Sequence, residues 1–152
     1  MITQVLINEI TMNIPLKFFL NLTMIQAVNA RRYDARLSTH GIGLNNFMIL
    51  FHLGEAPDEK LRRIDLAEKI GLTASGVTRM LKPMEKIGLV QREKDPRDAR
   101  VSNVKLAPGG KRVLKDAMAS AERTSDELFR FVDDEKLKEL SDVLVELGGT
   151  IS

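Results

Sequence analysis

Ile64-Asp65-Leu66-Ala67-Glu68-Lys69-Ile70-Gly71-Leu72-Thr73-Ala74-Ser75-Gly76-Val77-Thr78-Arg79-Met80-Leu81 holds two short helical patterns that meet at a glycine. Two helices that cross closely need a turn residue able to adopt positive φ, which Gly does without a Cβ clash. Gly71 stands where that turn falls. Ala67, four residues earlier, is small enough for close helix contact, and Val77, six residues later, is expected to be buried against the first helix. The spacing predicts a helix-turn-helix. An α-rich protein can also place Ala, Gly and Val this way by chance, so the flanking residues matter.

Downstream, Leu89-Val90 and Val101–Leu106 alternate as a pair of strands. The segment that joins them, Glu93–Arg100, carries Lys94, Arg97 and Arg100 together with Asp95 and Asp98. An arginine on a hairpin tip suits a narrow A·T-rich minor groove, where the negative potential is strongest. Asp98 is expected to orient the Arg100 guanidinium through a charge-assisted hydrogen bond. In the second helix Thr73 is a suitable N-cap, with Ser75 in the first turn. Ala74, Ser75, Thr78, Arg79 and Lys82 then face outward, and Val77, Leu81 and Met84 inward. Hydroxyls near a helix N-terminus, with an arginine one turn on, match the chemistry of major-groove reading. The plainer reading of Ser75 and Thr78 is that they cap the helix or simply face water. Pro83 removes one backbone hydrogen bond, at a cost of about 3 kcal/mol in a helix interior. The helix is expected to bend near Arg79–Lys82 rather than end, because Met84 and Ile87 continue its apolar side.

Charge is unevenly spread. The 152 residues carry a net +2, but residues 60–112 hold 14 Lys/Arg against 6 Asp/Glu. Residues 1–59 hold 4 against 5, and residues 113–152 hold 5 against 10. A basic middle between neutral and acidic ends is the asymmetry of a chain with one face toward phosphate; an unevenly charged solvated surface is the bland alternative. The length suits one domain with a real core. With no cysteine, disulfides, thiolate metal sites and thiol redox sensing by this chain are excluded. No basic signal-peptide start is present, and Asn13, Pro15, Lys17 and Asn21 interrupt any apolar span, so a cytoplasmic protein without membrane contact is expected.

The flanks read as helices. Ile14–Arg36 has apolar residues at spacings of three and four, with Pro15 in its first turn, after a possible short arm of Ile2, Val5, Leu6 and Ile10. Ser38–Gly43 reads as a loop, and Leu44–Leu53 as a helix stopped by Gly54 and the loop through Pro57-Asp58. Pro108 marks the start of a helix striped by Val113, Leu114, Ala117, Met118, Ala121, Leu128 and Phe129. Asp133 is placed to cap a last helix, whose narrow stripe is Leu137, Leu140, Val143, Leu144 and Leu147, ended by Gly148-Gly149. Such a stripe is marginal alone. It folds back on the chain's own core or pairs with a second copy. The second is favoured, because the first and last helical segments lie outside the central motif. The expected class is mainly α: a winged helix-turn-helix with a small β-hairpin wing over residues 41–110, an N-terminal dimerisation helix and arm over 1–40, and C-terminal dimerisation helices over 111–152.

Thr78-Arg79, Leu81-Lys82-Pro83-Met84-Glu85-Lys86-Ile87-Gly88-Leu89-Val90, Asp95-Pro96-Arg97-Asp98-Ala99-Arg100 and Val104-Lys105-Leu106-Ala107-Pro108-Gly109-Gly110 together resemble the MarR family of winged helix-turn-helix transcription regulators. The likeness runs from about Leu44 to Gly110 and is strongest at Asp98-Ala99-Arg100. It implies a homodimer held by terminal helices, with recognition helices in successive major grooves of a palindrome. It also implies a repressor released by a small phenolic or other aromatic effector. By position it implies DNA contacts from Ser75, Thr78, Arg79 and Lys82, and a minor-groove Arg100 supported by Asp98. With Thr73, Lys94 and Arg97 these make up the candidate DNA-binding set. An effector pocket near Arg31, His40, Phe47 or His52 is expected on the same ground. Ala107-Pro108 departs from the family's usual Leu-Thr, which deprives the next helix of a Thr cap.

Other chemistry is scarce. His40 and His52 have no Cys, His or acidic partner at metal-ligand spacing, so no metal or cofactor is expected. His52 is expected to line a pocket or core. No phosphate loop, nucleophile elbow or carboxylate pair supports an enzyme. The alternative function is a winged-helix module that docks a partner protein and has no specific DNA site.

Overall fold

The computed structural model describes residues 11–152, so the expected arm of Ile2, Val5, Leu6 and Ile10 lies outside the described residues. The chain divides into two compact units, the first ending at Arg32 and the second running Tyr33–Ser152. Helix α1 (Ile14–Leu37) has Pro15 in its first turn, and the Asn13 side chain accepts the Leu16 N–H at 3.0 Å. In the first unit its apolar residues Ile14, Phe19, Met24 and Ile25 are exposed.

The second unit contains α2 (Leu44–Glu55), β1 (Lys60–Arg62), α3 (Arg63–Lys69), α4 (Ala74–Lys86), β2 (Val90–Lys94), β3 (Ser102–Leu106), α5 (Pro108–Phe129) and α6 (Asp134–Glu146). The expected class, mainly α with a small sheet, is what forms. The expected two-stranded hairpin has a third strand. β3 lies between β1 and β2, antiparallel to both, with Arg62 opposite Asn103 and Arg92 opposite Val104. β1 is only three residues long, too short to show alternation in the sequence.

Side chains from every layer meet in one core: Leu50 and Leu53 of α2, Leu66 of α3, Val77 and Leu81 of α4, and Val104 of β3 are fully buried. Gly54, expected to stop α2, lies inside it. A Cβ there would stand 3.0 Å from the Leu114 Cδ2 atom, so this glycine admits α5 rather than ending α2. Pro83 likewise sits inside α4 without ending it, and its carbonyl accepts the Ile87 N–H at 3.2 Å. The apolar side continues through Met84 but not Ile87, which is 64% exposed because the helix stops at Lys86. α5 starts at Pro108 with no side-chain cap from Ala107, whereas α6 is capped by Asp133, which accepts the Lys136 N–H at 2.9 Å. Among the described residues no helix is long and apolar enough to cross a membrane.

Candidate nucleic-acid interface

The reading helix is set by the turn before it. Gly71 has φ +67°, the left-handed conformation expected of it, and the Leu72 N–H returns to the Ala67 carbonyl at 3.0 Å. Thr73 then opens α4: its Oγ1 accepts the Gly76 N–H at 3.1 Å and lies 3.3 Å from the Ser75 Oγ. Because Ala67 and Val77 are buried between α3 and α4, the opposite side of α4 faces out. Ser75, Arg79 and Lys82 are exposed there, and Ala74 is half-buried.

Thr78 departs from a free reading hydroxyl. It donates to the Ala74 carbonyl at 2.9 Å and accepts from Arg63 Nη1 at 2.6 Å, so its one proton is committed within the protein. Arg63 was not singled out in the sequence. Its only signal there is the pair Arg62-Arg63 at the start of α3, and that pair does not reveal a contact fifteen residues away.

The wing is β2, β3 and the tip between them. Lys94, Arg97, Asp98 and Arg100 are all exposed. Asp95 Oδ1 accepts the N–H groups of Arg97 and Asp98 at 2.8 and 3.3 Å, and these bonds, the Arg97 one first, hold its carboxyl below the usual carboxylate range. The expected side-chain pairing of Asp98 with Arg100 does not form. Asp98 Oδ1 instead accepts the backbone N–H of Arg100 at 2.9 Å. In a tight turn the N–H two residues on is the nearest donor to a short carboxylate, so Asp98 shapes the tip and leaves the guanidinium free. Arg92 and Glu85, 2.6 Å apart, tie the wing to α4.

Phe47 and His52, both expected around an effector, line different cavities. Phe47 lines a mostly apolar cavity of about 310 Å³ with Tyr33, Phe51 and Met118, where the Tyr33 hydroxyl lies 2.7 Å from Ser125 Oγ. His52 lines a different one, of about 270 Å³, with Phe51 and Lys69. It is 5% exposed, its Nε2 has no hydrogen-bond partner among the described residues, and burial, then the charge of Lys69, lowers its pKa. His40 Nε2 sits 2.8 Å from Ser120 Oγ, and Arg31 lies on α1 in the first unit. Among the described residues no cluster of three metal-ligating side chains occurs.

Residues 42–102 match the MarR family model. The HTH-type transcriptional regulator YdgJ of Bacillus subtilis strain 168, itself uncharacterized, is 28% identical over 134 residues, which cover 86% of this chain and 79% of that protein. A MarR family transcriptional regulator from Streptomyces coelicolor, solved in complex with DNA, superposes with a TM-score of 0.79 at 22% identity, covering 90% of each chain. CouR from Rhodococcus jostii RHA1, solved bound to p-coumaroyl-CoA, gives 0.79 at 19% identity, covering 86% of this chain and 91% of its own. At these identities the two structures establish the shared fold.

Proposed function

We propose that this chain, whose residues 42–102 match the MarR family model, is a transcriptional regulator of that kind that binds a specific palindromic duplex site as a homodimer. One observation carries this reading. Arg79 and Lys82 on α4, and Lys94, Arg97 and Arg100 on the wing, are all exposed, and none makes an ion pair among the described residues. Five exposed cations outside these ion pairs, on a capped helix and its adjoining wing, favour a polyanion.

In this reading Arg79 pairs with a base edge in the major groove and Ser75 contacts a base or phosphate beside it. Lys82, Lys94 and Arg97 meet the backbone, and Arg100 enters the minor groove from a tip shaped by Asp98. Thr73 serves as the cap that orients the helix. The flanking segments, residues 1–40 and 111–152, bring the second copy. The regulator represses, and a small aromatic effector in the cavity of Tyr33, Phe47, Phe51 and Met118 releases it. The likeness to a structure holding an aromatic thioester and the apolar lining of that cavity support this.

Selection of bound sequences from a random duplex pool tests the reading. The wild type should enrich one palindrome. Arg79→Ala should relax the preference at one base pair of each half-site, by roughly 1–3 kcal/mol. A pool that stays random after selection would refute a specific DNA site.

A further inference from the structure

Beside the reading face, where β1 runs into α3 and the wing returns, Arg62, Arg63, Ile64, Arg100, Val101 and Ser102 line a notch of about 110 Å³. Its arginines are in different states. Arg62 is held by Asp65, Nε and Nη2 donating to the two carboxylate oxygens at 2.7 and 2.9 Å. Arg63 makes no ion pair among the described residues. It is partly buried, gives Nη1 to Thr78, and has a buried Nε with no hydrogen-bond partner among the described residues. An unmet buried donor on a cation is costly, and a guanidinium is shaped to grip a phosphate with two parallel N–H groups.

We propose that this notch binds one phosphodiester of the DNA backbone, with Arg63 as its ligand. The proposal rests on the DNA-binding reading above. If α4 lies in a major groove and the wing tip in the adjacent minor groove, a strand of phosphates passes between them. The notch lies on that path, joined to α4 through Thr78 and to the wing through Arg100–Ser102. One guanidinium then serves both the phosphate and the Thr78 hydroxyl, which ties the backbone contact to α4. Thr78 is then a positioning residue rather than a base reader. Free inorganic phosphate has the same chemistry, and the test separates the two.

Binding of the full chain to its selected duplex is followed by fluorescence anisotropy across a chloride series. Arg63→Gln should weaken selected and scrambled duplexes alike by about tenfold, the worth of a charge-assisted hydrogen bond. It should also make the slope of log affinity against log salt shallower by about 0.9, the value for one phosphate. Arg63→Lys should restore the slope, and Lys115→Gln, on the exposed side of α5, should leave it unchanged. A walk of single neutral methylphosphonates along the strand between the grooves needs no folded variant for its first result. One position should cost the wild type about tenfold, and the same position should cost Arg63→Gln nothing more. A folded Arg63→Gln with an unchanged slope, or methylphosphonate losses that add fully in that variant, overturns the proposal. Arg63-dependent stabilisation by inorganic phosphate, with the DNA salt slope unchanged by Arg63→Gln, assigns the notch to the free ion and also overturns it. A wild type that prefers no duplex overturns the function and the notch together. A selective wild type whose slope ignores Arg63 overturns the notch alone.

Discussion

α4 and α6 begin alike and end up in opposite situations. Each has thirteen residues and opens on a side-chain cap, Thr73 on the Gly76 N–H and Asp133 on the Lys136 N–H. Each carries an aliphatic stripe at helical spacing. α4 buries Val77, Leu81 and Met84, whereas α6 buries no residue, and Leu140 and Leu147 remain 45% and 66% exposed. A stripe therefore says which side of a helix seeks cover, not whether its own chain provides it. α4 finds α3 and β2 opposite. For α6 we propose the second copy.

The largest effect expected from this contrast is in α4. Leu81→Ala should cost about 2–5 kcal/mol of unfolding free energy in urea, since a buried leucine leaves a cavity. A loss below about 1 kcal/mol would mean that α4 is loosely packed. Leu144→Glu in α6 should act on association instead. Leu144 is 40% exposed in the single chain, so the change forfeits roughly 1 kcal/mol of interfacial apolar burial per protomer. Light scattering should then give the monomer mass of 17.1 kDa where the wild type gives twice that. A variant still of doubled mass would free α6 of any part in pairing.

The caps sharpen the contrast further. Thr73→Ala and Asp133→Ala each remove about 1 kcal/mol of local helix stability. Only the first should lower the global unfolding midpoint, because α4 is integral to the core. The second should appear as faster exchange of the first amides of α6. Equal midpoint losses would show that α6 is as firmly packed as α4.

The smallest effect comes from His52, buried in the unit that holds α4. Burial, then Lys69, lowers its pKa from 6.5, so the unfolded chain takes up the proton more readily than the folded one. Its neutral form supports folding fully above pH 6.5, and that contribution falls away as pH drops from there toward the folded pKa. The urea midpoint measured at about pH 5.5 and 7.5 should differ more in the wild type than in His52→Gln. Identical differences would show that His52 titrates as it does in water.

What was legible in the sequence was local. Gly71, the Thr73 and Asp133 caps, Pro108 at a helix start and the inward set Val77, Leu81 and Met84 all appear where spacing placed them, because backbone bonds and helical period act within a few residues. What was misread depended on distant partners. Gly54 looked like a stop but makes room for Leu114, sixty residues on. Asp98 looked like a partner for a guanidinium but turned to the nearer N–H. β1 is too short to declare itself and forms only because β3 offers an edge. Arg63 had no signature, since the hydroxyl it holds and the notch it lines exist only after α3, α4 and the wing have packed.

By itself the sequence determined the helix-turn-helix, the order of elements and the basic middle of the chain. These rest on period, turn chemistry and charge, which no neighbour is needed to define. Tertiary structure alone decided which stripe was buried, which hydroxyl was already engaged and which arginine lacked a counter-charge. Those are properties of pairs of groups far apart in the chain, and only packing brings such pairs together.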